Sequence, residues 1–273
     1  MAHLIFLGTG GGRFATVYQV RRTGGIYLVD GARVHIDPGP GAALAMHELH
    51  LDPAKTDAIL ISHCHPDHYV DAEILVEGMT RCSFSKRGVI GGSTSAIQGE
   101  GEFGPAISSY HKRIAGSAIA LRPDDAIKIR DLEIVATPTS HSDKDGIGFR
   151  FCTSQGIVSY AGDSALDERL VKAHKGARVL ILNVTRPLRS RVSFHLCTED
   201  AATMIDQVRP ELAILTHFGS KAIHEGVKVQ SAYVEDHTGV RTVAAMDFMR
   251  VDIGKRLSCH ERGSDAESPP PNR

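Results

Sequence analysis

Ile61-Ser62-His63-Cys64-His65-Pro66-Asp67-His68 decides how this chain is read. It follows directly on the apolar run Ala58-Ile59-Leu60-Ile61 and sets three imidazoles and one carboxylate within six residues. A short β-branched apolar run reads as a strand, so these side chains leave one strand end together. Imidazole and carboxylate are ordinary ligands of zinc and its neighbours, and gathering four of them without a cation is costly. The H-x-H-x-D-H spacing is far more specific than a lone pair of histidines.

Consecutive residues of one loop cannot enclose a cation, so further ligands are expected at other strand ends. The chain supplies them in one repeated context. The strand over 132–136 runs into Thr137-Pro138-Thr139-Ser140-His141, and that over 157–160 into Ala161-Gly162-Asp163. The strand over 212–215 runs into Thr216-His217. Each places an imidazole or carboxylate just past a strand end, where the catalytic loops of layered α/β proteins gather.

Other segments extend the pattern. Runs at 26–29 and 34–36 flank Asp30-Gly31 as a hairpin, and further strands are expected at 4–7, 127–129, 147–152 and 179–184. Helical spacing covers 42–51, 70–79 and 167–174, and a helix with Thr198 as N-cap runs to about Val208. The segment 80–117 reads as glycine-rich loops with one short helix near Ile97. Strands, intervening helices and hairpins in both halves predict two sheets in a layered α/β sandwich. Residues 1–261 are expected to form one domain. Residues 262–273, with Ser264, Asp265 and Pro269-Pro270-Pro271, carry too little apolar surface to order themselves and are expected to be a disordered tail.

With 273 residues the chain can bury a substantial core, and its 42% hydrophobic and 23% charged residues are ordinary for a soluble protein. A formal net charge of −1 gives no global electrostatic case for binding nucleic acid or a membrane surface. The apolar run at 4–7 is too short for a secretion signal and lacks a basic leader, and no window approaches a membrane span. The five cysteines, Cys64, Cys82, Cys152, Cys197 and Cys259, show no C-x-x-C spacing. That argues against a disulfide framework and for a reducing compartment, so a cytoplasmic protein is expected.

Taken together, these motifs resemble the metallo-β-lactamase superfamily of metal-dependent hydrolases. The resemblance covers most of the chain, from Leu4-Ile5-Phe6-Leu7-Gly8-Thr9-Gly10 through His63–His68, His141 and Ala161-Gly162-Asp163 to Thr216-His217. It implies an αββα four-layer sandwich of two mixed sheets packed face to face with helices outside. It also implies two divalent ions, zinc first, with manganese or iron as alternatives. His63, His65 and His141 match the ligands of one ion, Asp67, His68 and His217 those of the other, and Asp163 the bridge. Asp37 matches an acidic position that buttresses the ligand loops. Two cations roughly 3.5–4 Å apart would hold a bridging hydroxide at ordinary pH and offset charge on the group under attack. Cys64, between His63 and His65, is expected to point away as a small buried hydrophobe.

Two stretches narrow the branch. Phe6-Leu7-Gly8-Thr9-Gly10-Gly11-Gly12 runs a strand into glycines whose backbone N–H groups are expected to form an anion nest. Phe194-His195-Leu196-Cys197-Thr198-Glu199-Asp200 puts a histidine just before a helix. Both are similar to the phosphodiesterase branch, which includes ribonuclease Z and cyclic-phosphate phosphodiesterases. The likeness implies that His195 lies beside the metals, stabilises the phosphoryl group and protonates the leaving oxygen, since an alkoxide leaves poorly. Asp67 and His195 are then the expected catalytic pair. Ribonuclease Z carries a long Gly- and Lys-rich arm; here 163–195 holds a compact helix and strand, and Arg186, Arg189 and Arg191 read as a solvated loop. A small or cyclic phosphodiester is therefore expected ahead of an RNA 3′ end, with a homodimer as the source of any missing basic surface. The alternatives are a lactone, thioester or β-lactam hydrolase, or a non-catalytic metal-binding protein. His3, His47, His50, His174, His224 and His237 are expected to be structural or exposed.

Overall fold

Every residue of the run Ala58–Ile61 is buried, because its two faces pack on different layers. Ala58 and Leu60 join a core of residues that includes Phe149, Phe151, Ile181 and Ile214. Ile59 and Ile61 instead pack with Met46, Leu75, Val76 and Met79. A strand covered on both sides reads as a continuous apolar run rather than an alternating one. The run at 179–182 behaves alike, with Val179 and Ile181 in the central core and Leu180 and Leu182 packed with Met204 and Ile205.

The computed structural model describes residues 2–261, so the tail expected over 262–273 lies outside the described residues. The strands of the first half are β1 (Ala2–Phe6), β2 (Ile26–Asp30), β3 (Ala32–Ile36), β4 (Ala58–Ile61), β5 (Arg87–Ser93) and β6 (Ala115–Leu121). There follow β7 (Ala126–Ile129), β8 (Leu132–Pro138), β9 (Ile147–Thr153), β10 (Gly156–Tyr160), β11 (Val179–Asn183) and β12 (Leu212–Thr216). The last three are β13 (Thr242–Ala244), β14 (Arg250–Ile253) and β15 (Leu257–His260). The helices are α1 (Gly12–Val17), α2 (Ala42–Glu48), α3 (Pro66–Tyr69), α4 (Ala72–Met79), α5 (Thr94–Gln98) and α6 (Ser109–Ile114). In the second half they are α7 (Glu168–His174), α8 (Thr198–Val208), α9 (Ser220–Glu225) and α10 (Val227–Thr238). No described helix is long and apolar enough to cross a membrane.

An eight-stranded sheet has the order β15-β14-β1-β2-β3-β4-β5-β6, and a seven-stranded sheet the order β13-β12-β11-β10-β9-β8-β7. Both are mixed: β3 to β6 run parallel in the first, and β10 to β13 in the second. The sheets face each other across the central core, α2 and α4 cover the outer face of the first, and α7, α8 and α10 that of the second. This is the four-layer αββα sandwich that the resemblance implied.

Three local readings need correction. The segment 80–117 holds two strands, β5 and β6, besides α5 and α6. Glycine hides β5: a Cβ on Gly91 would lie 2.8 Å from Leu60 Cδ2, so close packing selects the residue that sequence patterns count as a strand breaker. The helix read over 42–51 ends at Glu48. The N-cap of α8 is Cys197 rather than Thr198, with the Asp200 carboxylate accepting the Cys197 N–H at 3.2 Å in a capping box.

Candidate metal centre

Parallel strands deliver their C-terminal ends to one edge of a sheet, and here both sheets do so at the same edge of the sandwich. Asp37 follows β3, His63 to His68 follow β4, Asp163 follows β10 and His217 follows β12. His141 comes off β8, and His195 precedes α8. The structure brings all of these together. Asp37 (φ 50°), His217 (φ 56°) and Phe194 (φ 66°) adopt the left-handed region, which Asp and His tolerate better than most residues and which clusters at functional sites.

The histidine tautomers follow from their partners. Ser62 Oγ donates to Asp37 Oδ2 at 2.7 Å, so it accepts from His63 Nδ1–H at 3.0 Å, leaving a lone pair on Nε2. His141 Nδ1–H donates to the Phe194 carbonyl at 3.0 Å, which leaves its Nε2 bare as well. Both bare nitrogens point at His65 Nδ1, at 2.8 and 3.1 Å. One ring nitrogen carries at most one proton, so three imidazoles converge with a lone pair to spare.

A second group repeats the pattern. His68 Nδ1–H donates to Asp37 Oδ2 at 2.8 Å, and His217 Nδ1–H is 3.1 Å from Thr185 Oγ1 and 3.4 Å from Asp163 Oδ1. Their Nε2 atoms then face each other at 3.0 Å, with Asp67 Oδ2 3.3 Å from His217 Nε2. Two facing lone pairs need a proton or a cation between them. Asp163 Oδ2 is 3.7 Å from His68 Nε2, and Asp163 shares one donor group with His63 and His68 and another with His141 and His195. An all-nitrogen and oxygen donor set, with outer nitrogens tied to a carboxylate, a hydroxyl and a carbonyl, fits divalent zinc, manganese or iron.

Charge is distributed accordingly. Burial works against charge on His68, but Asp37, Asp67 and Asp163 outweigh it and raise its pKa well above the ordinary value. Burial would also raise the Asp163 carboxyl, yet His217, His68 and His195 hold it well below the usual carboxylate range. Asp67 is lowered too, His68 and His217 overcoming its burial. Burial and the neighbouring imidazoles keep His63 well below its ordinary value, and burial pushes His195 down to about 4 against the pull of Asp163. The carboxylates attract positive charge to the centre, which a divalent cation would supply.

Above the cluster lies a cavity of about 500 Å³ lined by Arg13, Val17, His65, Asp67, Asp163 and His195. The expected anion nest is absent from the glycine loop, since every amide there has a partner inside the protein. The N–H groups of Gly8, Gly10 and Gly11 donate to the carbonyls of Gly25, Arg22 and Phe218, and Thr9 N–H donates to Asp247. Gly12 N–H donates to Asp67 Oδ2 at 2.9 Å. The loop instead packs against the ligand shell: a Cβ on Gly11 would lie 2.2 Å from the His217 ring. Arg186 binds Ser190 and Arg191 pairs with Asp200, so two of the three loop arginines are engaged within the protein. Cys64 is buried with its Sγ toward the Gly104 carbonyl, as expected.

The model of the β-lactamase superfamily domain matches residues 32–218, the span that carries the expected ligands. The chain belongs to the β-lactamase superfamily. It is 40% identical to an uncharacterized protein of Methanocaldococcus jannaschii over 253 residues, covering 92% of this chain and 94% of that one. It is 27% identical to a UPF0173 metal-dependent hydrolase of Methanopyrus kandleri over 70% of this chain and 79% of that protein. A ribonuclease Z of Pyrobaculum neutrophilum is 26% identical over 87% of this chain and 79% of its own length. Among solved structures, the metallo-β-lactamase fold protein YhfI of Bacillus subtilis superposes with a TM-score of 0.74 at 17% identity, covering 91% of this chain and 98% of that one. A diphosphatase of the PhnP family reaches 0.70 at 17% identity, covering 94% and 100%. At these identities the structural likeness is one of fold. The chain is thus a metallo-β-lactamase-fold member of a family of metal-dependent hydrolases.

Several supporting residues escaped the sequence reading of this superfamily member. Asn183 Nδ2 donates to Asp163 Oδ1 at 2.7 Å and to Tyr160 OH at 3.0 Å, and Tyr160 OH donates to Asp37 Oδ2 at 2.7 Å. This buried chain joins the Asp163 carboxylate to the one that orients His68. Asp143, also buried, accepts from Cys64 N–H at 2.8 Å and Ser95 Oγ at 2.6 Å and so holds the loop between His63 and His65. Asn183, a polar residue in an apolar strand, was the legible signal. Asp143, two residues past His141, was another.

Proposed function

We propose that this protein is a binuclear metal-dependent phosphodiesterase, one catalytic unit over residues 1–261, acting on a small or cyclic phosphodiester or an RNA 3′ end. The observation that carries the reading is the meeting of two imidazole–carboxylate groups at Asp163 with His195 beside it, its Nδ1 3.4 Å from Asp163 Oδ2. The ribonuclease Z relative and the PhnP-family neighbour support the same class. His63, His65 and His141 would hold one ion, Asp67, His68 and His217 a second, and Asp163 would touch both, with zinc the first candidate. Such ions bring a water's pKa toward neutrality and offset charge on phosphoryl oxygens.

The chain's own residues do the rest. Asp67, oriented by Gly12 N–H, lines the cavity floor and accepts the proton of the adding water. His195 turns its Nδ1 edge to Asp163 and Thr185, which leaves the opposite edge for substrate. From there it donates a hydrogen bond to the phosphoryl group and a proton to the leaving oxygen. A bound phosphodiester anion favours the protonated imidazole and counters the depression caused by burial. Five free cysteines, set apart in the fold, support a cytoplasmic setting.

The test is hydrolysis of a chromogenic phosphodiester by protein stripped of metal and restored with zinc or manganese. No turnover with either metal, alongside turnover of a lactone or thioester, overturns the proposal in favour of a carboxyl-ester-type hydrolase. His195→Ala should lower the rate by roughly 10²–10⁴-fold with metal content retained. Loss of metal from that variant would make His195 a ligand through its group with His141 and Asp163.

A further inference from the structure

Two cavities meet at His195. The first, of about 500 Å³, contains His65, Asp67 and Asp163 and is walled on its outer side by Arg13 and Val17. The second, of about 530 Å³, contains none of the candidate ligands and is walled by Leu166, Arg191, Val192, Ser193 and Phe194. His195 lines both. In-line displacement ejects the leaving oxygen opposite the attacking one. With Asp67 and the donor cluster on the floor of the first cavity, water adds from that side. The leaving oxygen then faces His195 and the second cavity.

We propose that the cavity beyond His195 is a subsite for the leaving arm, and that its occupant is an uncharged nucleoside, base against Phe194, of a linear phosphodiester. The inference rests on the phosphodiesterase reading above and selects among its substrates. This cavity of about 530 Å³ is open to solvent and has room to seat a nucleoside against its wall, far beyond what a small alcohol needs. Phe194 is 47% exposed, while its carbonyl accepts from His141, so the loop presenting the ring is tied to the candidate ligand shell. An exposed aromatic ring held in place is a stacking platform for a nucleobase. Arg191 is neutralised by Asp200, so this wall offers no free charge to a second phosphate. Ser193, exposed between them, supplies a hydroxyl for sugar or base edges.

A cyclic phosphodiester has both ester oxygens on one sugar and would leave this cavity empty. In the linear substrate the water oxygen bonds to phosphorus and the P–O bond to the leaving arm breaks. The departing oxygen takes a proton from His195, Asp67 takes the one lost by the water, and proton exchange with solvent resets both groups. A free nucleoside and a phosphomonoester of the retained arm result.

The experiment compares kcat/KM of the zinc- or manganese-restored full chain for release of the thymidine monophosphate that thymidylyl-thymidine yields, for release of that same monophosphate from its methyl esters, in which methanol is the leaving arm, and for opening of a 3′,5′-cyclic nucleotide. The dinucleotide should be favoured over the methyl esters and the cyclic substrate by about tenfold or more. Phe194→Ala should cut the dinucleotide-to-methyl-ester ratio about tenfold, and Phe194→Tyr should keep it. Ser193→Trp, which fills the cavity from an exposed position, should cut the same ratio. A cyclic or methyl substrate preferred by wild type, or a ratio indifferent to both Phe194→Ala and Ser193→Trp, overturns the subsite while leaving a phosphodiesterase. Failure on every phosphodiester beside turnover of a lactone overturns the functional reading itself.

Discussion

Replacing Asp37 with Asn keeps the shape of the residue and removes one of its acceptors. Asp37 Oδ1 accepts Ser62 N–H at 2.6 Å, and Oδ2 accepts from Ser62 Oγ at 2.7 Å, His68 Nδ1 at 2.8 Å and Tyr160 OH at 2.7 Å. An amide NH₂ placed at Oδ2 can donate to the Ser62 and Tyr160 hydroxyls, which rotate to accept. His68 has no such freedom. Its Nδ1–H would meet another N–H, so the ring either loses the bond or moves the proton to Nε2 and surrenders the lone pair that faces His217. A hydrogen bond to a charged group contributes roughly 1.5–3 kcal/mol, so about 2 kcal/mol of metal binding is at stake. That corresponds to about thirtyfold weaker affinity, within the 10–100-fold range for residues that orient metal ligands. Chelator competition with zinc measures the affinity, and thermal melts of stripped wild type and variant separate it from a loss of fold. An affinity within about threefold of wild type, with metal loading complete, would refute the tautomer argument.

Other substitutions probe different parts of the structure. In Gly11→Ala the new Cβ would lie 2.2 Å from the His217 ring, so the ring must shift; metal analysis should find about one ion per chain fewer than in wild type. His174, fully buried with Nδ1 2.6 Å from Ser159 Oγ, has its pKa lowered by burial to about 3, so the unfolded chain binds a proton that the folded chain refuses between pH 6.5 and 3. Stability therefore falls as pH drops through that window, and His174→Leu should lose roughly 1–2 kcal/mol less than wild type between pH 7 and 5 in urea unfolding. Equal losses in the two proteins would contradict the assignment. Chelation of the metal-loaded protein should lower Tm by roughly 5–10 °C, and an unchanged Tm would count against cations that bind the folded state.

The candidate donors were legible because each lies just past a strand end, and strand ends are marked locally by an apolar run meeting a polar residue. His63, His65, Asp67, His68, His141, Asp163 and His217 were all found that way, and the structure gathers them. Glycine-rich β5 was not legible, because its composition answers to contact with Leu60, a neighbour in the sheet rather than in sequence. The glycine loop before α1 misled for the same reason: whether an amide is free for an anion depends on distant carbonyls and carboxylates.

What the sequence determined by itself is the chemistry of the donors, their positions at strand ends and the layered fold that carries them. Only the tertiary structure decided which nitrogen of each imidazole faces inward, since Asp37, Thr185 and Phe194, the partners that fix those protons, are remote in sequence from His68, His217 and His141. It also decided that His195 stands between two cavities. Side-chain period and turn chemistry act over a few residues, whereas proton placement and cavity shape depend on contacts made only when both sheets pack.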